Sequence, residues 1–182
     1  AVTLCVISNR LKHALTDFEK ISHLILFGLS FRKMTTKTIS EWADRKINEE
    51  TNDSLFFDLS TAGTTNKIVE LLYERVSWNY NDKEIRTFIL SYYKEYLNRN
   101  QNNWLEIEKE LLDYFQLLEH DDSNNILEDF LYYLADDWNL RKDGFNGLLT
   151  MPEYLTDNLR EYNDYNNLRE LLKREGLSGY EV

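Results

Sequence analysis

Apolar residues recur at helical spacing along almost the whole chain. Phe18, Ile21 and Ile25, for example, lie three and four positions apart, directly after the polar pair Thr16-Asp17. Side chains at this spacing share one face of an α-helix, and a Thr or Asp in front of them can cap the first turn. Comparable stretches follow one another as far as Leu172. The pattern predicts an all-α bundle of about eight or nine helices, built from antiparallel helical hairpins.

Turn-forming residues are scarce, which argues against a sheet-rich fold. The chain has six Gly and one Pro, and the stretch from Val2 to Ile7 is the one candidate for a strand. The polar run Asn98–Asn103 is predicted to be a loop, but it is too short to link two domains. We therefore expect one helical domain over residues 1–182, in which residues 1–15 form a loosely attached N-terminal segment.

Cysteine usage and hydropathy predict a cytoplasmic location. Cys5 is the single cysteine, so no disulfide can form within the chain, as is usual in a reducing compartment. It lies in the apolar run 1–7, which no basic residue precedes. That run is far shorter than the roughly 20 residues that a membrane span needs.

Motifs that would mark an enzyme or a cofactor site are missing from the sequence. We find no Gly-rich phosphate loop, no nucleophile elbow and no zinc-protease spacing of histidines. The nearest metal-like string is His120-Asp121-Asp122, and a helix end with two capping carboxylates explains the same residues. We therefore predict no catalytic residue, no cofactor and no metal.

Negative charge is concentrated in the second half of the chain. Residues 1–91 carry 12 acidic and 12 basic side chains, whereas residues 92–182 carry 20 acidic and 9 basic ones, which accounts for the whole net charge of −11. Between Glu110 and Leu140 there are nine acidic residues and no Lys or Arg. Such a field repels nucleic acid and anionic membranes and attracts a cationic partner. A solvated face that keeps an acidic protein in solution accounts for the same charges.

The stretch Ser123–Trp138 combines these carboxylates with tyrosines. At helical spacing its aliphatic residues share one face, and its acidic and tyrosine side chains fall mainly on the opposite face. Tyrosine rings beside carboxylates suit the recognition of Lys and Arg, whereas the alternative is an exposed helix whose tyrosines pack on a neighbour. The predicted partner-binding residues, including a rim that precedes this helix, are Glu119, Asp121, Asp122, Glu128, Asp129, Tyr132, Tyr133 and Asp136.

Other aromatic residues are interpreted mainly as packing residues. We predict that the four tryptophans Trp42, Trp78, Trp104 and Trp138 lie in the core or between helices. The C-terminal tyrosines have more polar neighbours in the sequence, and a second rim of the same interface is one hypothesis for them. These tyrosines are Tyr154, Tyr162, Tyr165 and Tyr180.

One segment resembles a known class of protein. Thr38–Ile47, which contains Trp42-Ala43-Asp44, is followed by Asp53–Ser60, which ends in Asp58-Leu59-Ser60. This arrangement resembles small bacterial immunity proteins, which accompany the toxins of contact-dependent growth inhibition and other polymorphic toxin systems. The resemblance covers about 25 residues, and Phe56-Phe57 replaces a more aliphatic run. It implies a cytoplasmic antidote, often made against a nuclease toxin, and it identifies no functional residue here.

The sequence therefore predicts a non-catalytic protein that binds a cognate basic toxin domain through an acidic helical face. It predicts no nucleic-acid or membrane partner. Two alternatives remain open at this point. One is a helical adaptor or scaffold for another protein, and the other is an enzyme with an unrecognised helical active site.

Overall fold

The computed structural model of the chain describes residues 15–49, 53–76, 82–119, 129–147, 149, 151–163 and 165–180. Within these residues the fold is all-α, as predicted, with no strand. The proposed strand from Val2 to Ile7 lies outside the described residues, as does nearly all of the predicted N-terminal segment 1–15. The nine α-helices of the described residues are α1 (Asp17–Ser30), α2 (Thr36–Asn48), α3 (Ser54–Thr61), α4 (Thr65–Tyr73), α5 (Lys83–Arg99), α6 (Trp104–Glu119), α7 (Asp129–Lys142), α8 (Glu153–Leu159) and α9 (Tyr165–Arg174).

Side-chain caps fix where several helices begin. Thr16 forms a capping box with Glu19, because its hydroxyl accepts from the Glu19 amide at 3.2 Å while the Glu19 carboxylate accepts from the Thr16 amide at 2.8 Å. Asp82 accepts from the Glu84 and Ile85 amides at the start of α5. Helix α2 is capped by Thr35, whose hydroxyl accepts from the Thr38 amide at 3.2 Å.

Helices α1 and α5 lie at the centre of the molecule. In α1 every residue from Ile21 to Gly28 is buried, so this helix is covered on all sides. Helix α5 packs against α1, α6, α8 and α9, while α2 packs mainly on α3, and α7 packs on α6. The buried apolar side chains of these helices form one continuous cluster.

The predicted loop Asn98–Asn103 corresponds to a real break between helices, but it begins two residues later than predicted. Helix α5 continues through Arg99, and a short 3-10 turn over Gln101–Asn103 leads directly into α6. The error arises because Asn98 and Arg99 lie on the exposed side of α5, where polar residues are usual. The buried Leu97 holds the other side of the helix against the core.

None of the helices in the described residues has the length and hydropathy that a membrane span requires. The C-terminal segment Leu177–Tyr180 returns to the core after α9, and both of these end residues are buried. Gly176 makes this return possible, because its φ of +66° lets the chain leave the helix in a left-handed conformation, as predicted for a helix stop.

Candidate acidic interface on the α6–α7 hairpin

Helices α6 and α7 form an antiparallel hairpin on one side of the bundle. The rings of Phe115 and Tyr132 meet edge to face, with centroids 5.0 Å apart. Earlier on α6, Glu108 pairs with Arg141, which lies later on α7. Phe115 follows Glu108 on α6, whereas its partner Tyr132 precedes Arg141 on α7. The axes of the two helices are therefore antiparallel. This arrangement brings two acidic segments of the sequence side by side.

Helix α7 separates its apolar and polar residues as the sequence predicts. Phe130, Leu131 and Leu134 are buried in the core. On the opposite side, the predicted binding residues Asp129, Tyr132, Tyr133 and Asp136 are exposed, and 63% of Tyr133 is accessible to solvent. Helix α6 ends at Glu119, but the side chain of Glu119 and the whole of Asp121, Asp122 and Glu128 lie outside the described residues.

A groove with a volume of about 330 Å³ runs between the two helices. Both helices contribute residues at helical spacing, so the groove follows the seam of the hairpin. It contains Tyr132 and Asp136 from the predicted set, and it adds residues that the sequence analysis did not select. Six residues define its character: Lys109, Asp113 and Phe115 from α6, and Tyr132, Asp136 and Trp138 from α7.

The acidic residues of this hairpin fall into two groups with different surroundings. Glu108 and Asp137 point inward, where both pair with Arg141; Asp137 does so at 2.9 Å and also accepts from the Leu149 amide at 3.0 Å. Glu108 is 0% exposed and Asp137 is 3% exposed. Hydrogen bonding to Glu108 is the largest of the effects that raise the pKa of Arg141, so its charge is secure. The inner carboxylates are therefore structural.

The outer carboxylates keep their charge available to a partner. Asp113, Asp129 and Asp136 are exposed and make no ion pair within the described part of the chain. By contrast, Glu110 on α6 forms an ion pair with Lys33 at 2.9 Å. Of the groove residues named above, Lys109 is the one cation. The described part of the hairpin thus presents exposed carboxylates without ion-pair partners on its outer side.

Two sequence predictions about aromatic residues need correction, and a third is narrowed. Of the two places predicted for Trp138, the core is wrong, because 38% of it is exposed and its ring lies against the groove between α6 and α7 and under the Arg141 guanidinium, 5.5 Å away. Tyr165 and Tyr180 are buried and cannot form a rim of the interface. Trp42 is buried as predicted and packs edge to face on Phe56, while Trp78 lies outside the described residues.

Tyr154 and Tyr162 are half-buried, which leaves them little surface for a second rim. The Tyr154 hydroxyl donates to the Phe130 carbonyl at 3.0 Å and so attaches α8 to α7. Burial raises the pKa of Tyr154 to about 12, so the hydroxyl keeps its proton and its donor role near neutral pH.

The sequence carried a partial signal for the missed residues. Lys109, Asp113 and Gln116 lie at positions i, i+4 and i+7 of α6, which places them on one stripe. These residues line a groove only because α7 packs beside α6, and the sequence does not show which helices pack together. Among the described residues, no group of three or more His, Cys, Asp or Glu is arranged to hold a metal ion.

A scan against protein-family models gave no match for this chain. Searches of curated proteins and of solved structures gave no match either.

Proposed function

We propose that this chain is a cytoplasmic immunity protein that binds and neutralises a cognate basic toxin domain through the outer side of the α6–α7 hairpin. The observation that carries the proposal is the set of exposed carboxylates Asp113, Asp129 and Asp136 on that hairpin, none of which forms an ion pair with a residue that the structure describes. A nuclease toxin must present cations to phosphate, and a carboxylate surface of matching shape can occupy those cations.

Aromatic side chains on the same surface support binding over simple solubility. Tyr132, Tyr133 and Trp138 are all exposed beside the carboxylates. Tyr and Trp are enriched where interfaces gain most of their free energy, because a rigid ring buries a large area at a small entropic cost. A face that served only solubility would gain nothing from exposing three large rings.

The test begins with the protein encoded directly upstream, produced with and without this chain. We expect the two proteins to co-purify at low salt, the toxic activity to be suppressed, and the affinity to fall as salt rises, because exposed charges are screened. Capture of the neighbour without suppression of any toxic activity would favour an adaptor role. Absence of binding at low salt would contradict the proposal.

A charge-reversal pair locates the surface. The double variant Asp129→Lys/Asp136→Lys is expected to weaken binding at least about ten-fold, chiefly through slower association. Asp58→Lys is the matched control for Asp136→Lys alone, because both change the net charge equally and Asp58 is also exposed but lies on α3, which packs mainly on α2. If the hairpin variant and the control bind equally well, the partner binds elsewhere.

A further inference from the structure

The α6–α7 hairpin already contains one complete guanidinium site. Arg141 is held between a carboxylate of each helix, Glu108 from α6 and Asp137 from α7. The same guanidinium lies 5.5 Å from the centre of the Trp138 ring. Two carboxylates and an indole face are therefore the groups with which this hairpin binds its own arginine.

The groove repeats this set of groups on the outer side of the same two helices. Asp113 comes from α6, Asp136 comes from α7, and Trp138 contributes to both sites. Tyr132 adds a second ring that is 46% exposed. Neither Asp113 nor Asp136 forms an ion pair with any residue that the structure describes. The second set thus has the chemistry of the first without a cation of its own paired to it.

The geometry points to the groove as a receptor for one arginine side chain of a protein partner. The inference rests on the proposed function in one respect, namely that the partner is a protein. It adds the chemistry of the side chain that enters the groove. The guanidinium would pair with Asp113 and Asp136 while its plane stacks on Trp138 or Tyr132. A volume of about 330 Å³ is at the small end of the roughly 300–1,000 Å³ range of ligand pockets, which suits a single side chain.

Arginine fits these groups better than lysine does. A guanidinium is planar, so it can stack on an aromatic ring while its edges donate to two carboxylates at once. An ammonium group is a compact, strongly hydrated charge that cannot do both. Because the two carboxylates come from different helices and line one groove together with aromatic rings, the fork geometry of arginine is the better match.

Lys109 supplies an internal competitor. It lies one helical turn before Asp113 on α6 and lines the same groove. When the groove is empty, Lys109 provides positive charge near Asp113. An incoming guanidinium is repelled by that charge. Removal of this charge should therefore strengthen binding, which is the opposite of what loss of a contact residue would do.

The inference can be tested without the partner. N-acetyl-arginine amide, N-acetyl-lysine amide and free L-arginine are titrated into the full chain, and the indole N–H signal of Trp138, assigned with Trp138→Phe, is followed by NMR. We expect a saturable shift with N-acetyl-arginine amide and binding at least about three-fold weaker for N-acetyl-lysine amide. Asp113→Asn and Asp136→Asn should each weaken the binding about three-fold, and Lys109→Met should strengthen it by a similar factor. Asp58→Asn, the matched control, should change nothing.

Three results would overturn the inference. The first is no saturable shift of Trp138, and the second is equal binding of the arginine and lysine probes. The third is much tighter binding of free L-arginine than of the blocked probe, which would indicate a small-molecule site. If the groove fails these tests but the chain still neutralises a toxin, this inference is wrong and the proposed function stands. If the groove binds arginine but the chain has no toxin partner, the proposed function is wrong and this inference stands.

Discussion

The hydroxyl of Tyr180 donates a 2.5 Å hydrogen bond to the backbone carbonyl of Leu24, 156 positions earlier in the chain. The Tyr180 ring stacks on Phe27 and meets Phe88 and Tyr92 edge to face, so it joins α1 to α5. Its own carbonyl accepts a 2.6 Å hydrogen bond from the Tyr165 hydroxyl of α9. Burial raises the pKa of Tyr180 well above the usual range, so this donor keeps its proton. The C-terminal segment is therefore part of the core.

Truncation of Tyr180 should destabilise the whole fold. Tyr180→Ala removes a fully packed ring and is expected to lower the free energy of unfolding by about 3–5 kcal/mol. Tyr180→Phe keeps the ring and should cost about 1 kcal/mol for the lost hydrogen bond. Urea unfolding followed by circular dichroism measures both. Equal stability of Tyr180→Ala and the unsubstituted chain would show that the segment does not pack as described.

Replacement of Arg141 should lower the stability of the fold, because the inner carboxylates depend on its charge. Arg141→Met leaves Glu108 and Asp137 buried without a counter-charge, and it should lower the free energy of unfolding by about 3 kcal/mol. Arg174→Met is the control, because the Arg174 side chain is 63% exposed in its ion pairs with Asp17 and Glu175, which should together contribute less than about 1 kcal/mol. Thermal and urea unfolding compare the two variants. A loss at Arg141 no greater than that at Arg174 would contradict the buried network.

Gly28 and Gly63 should respond to alanine in opposite ways. A Cβ at Gly28 would lie 2.7 Å from Cγ of Met34, and Met34 is only 5% exposed, so this atom can move only if its buried neighbours move as well. Overpacking of this kind costs about 1–3 kcal/mol, which outweighs or cancels the roughly 1 kcal/mol of helix propensity that alanine adds. Gly63 has nothing within 4 Å, so Gly63→Ala should stabilise by about 0.4–1 kcal/mol. Melting temperatures that rise for Gly28→Ala as much as for Gly63→Ala would argue against this packing.

Acidification should weaken the fold through His23. Burial lowers the pKa of His23 below 6.5, although its hydrogen bond to the Glu19 carbonyl and the charges of Asp82 and Glu19 act in the opposite direction. A ring that is neutral in the folded state but charged in the unfolded state favours unfolding. Its contribution to stability is therefore complete above pH 6.5 and is lost as the pH falls toward the lowered pKa. One proton limits the loss to about 1.4 kcal/mol per pH unit.

The measurement for His23 is a comparison with His23→Gln, which cannot titrate. Unfolding free energies at pH 7.5 and at pH 5.5 are obtained for both chains. The unsubstituted chain should lose more stability between the two pH values than His23→Gln does. Parallel losses would assign the acid sensitivity to other groups, such as the paired carboxylates.

Helix positions were largely predictable from the sequence, because the forces that start and stop a helix are local. Thr16, Asp53, Thr64 and Asp82 each stand directly before a helix and cap it, since a short polar side chain reaches an amide two or three residues ahead. The burial of Leu131 and Leu134 and the exposure of Asp136 on α7 were predictable for the same reason, as helical periodicity alone separates the two faces.

The candidate interface was predictable only in part. The sequence selected Tyr132 and Asp136 but not Asp113 or Trp138, because it did not reveal which helix lies beside α7. Helical periodicity placed Asp136 on the outer face and left Asp137 off it, but it did not reveal what Asp137 pairs with. These adjacent carboxylates differ because Arg141 and Glu108 meet Asp137 in the interior, whereas Asp136 faces the groove.

The amino-acid sequence by itself determined the all-α class, most helix starts and the surplus of negative charge in the second half of the chain. Only the tertiary structure decided that Glu108 of α6 joins the local pair of Asp137 with Arg141, that Asp113 and Asp136 line one groove, and that Tyr180 closes the core. The physical reason is range: capping, periodicity and pairs one helical turn apart act within a few residues, whereas these contacts join residues that are distant in the sequence and become neighbours only when the helices pack.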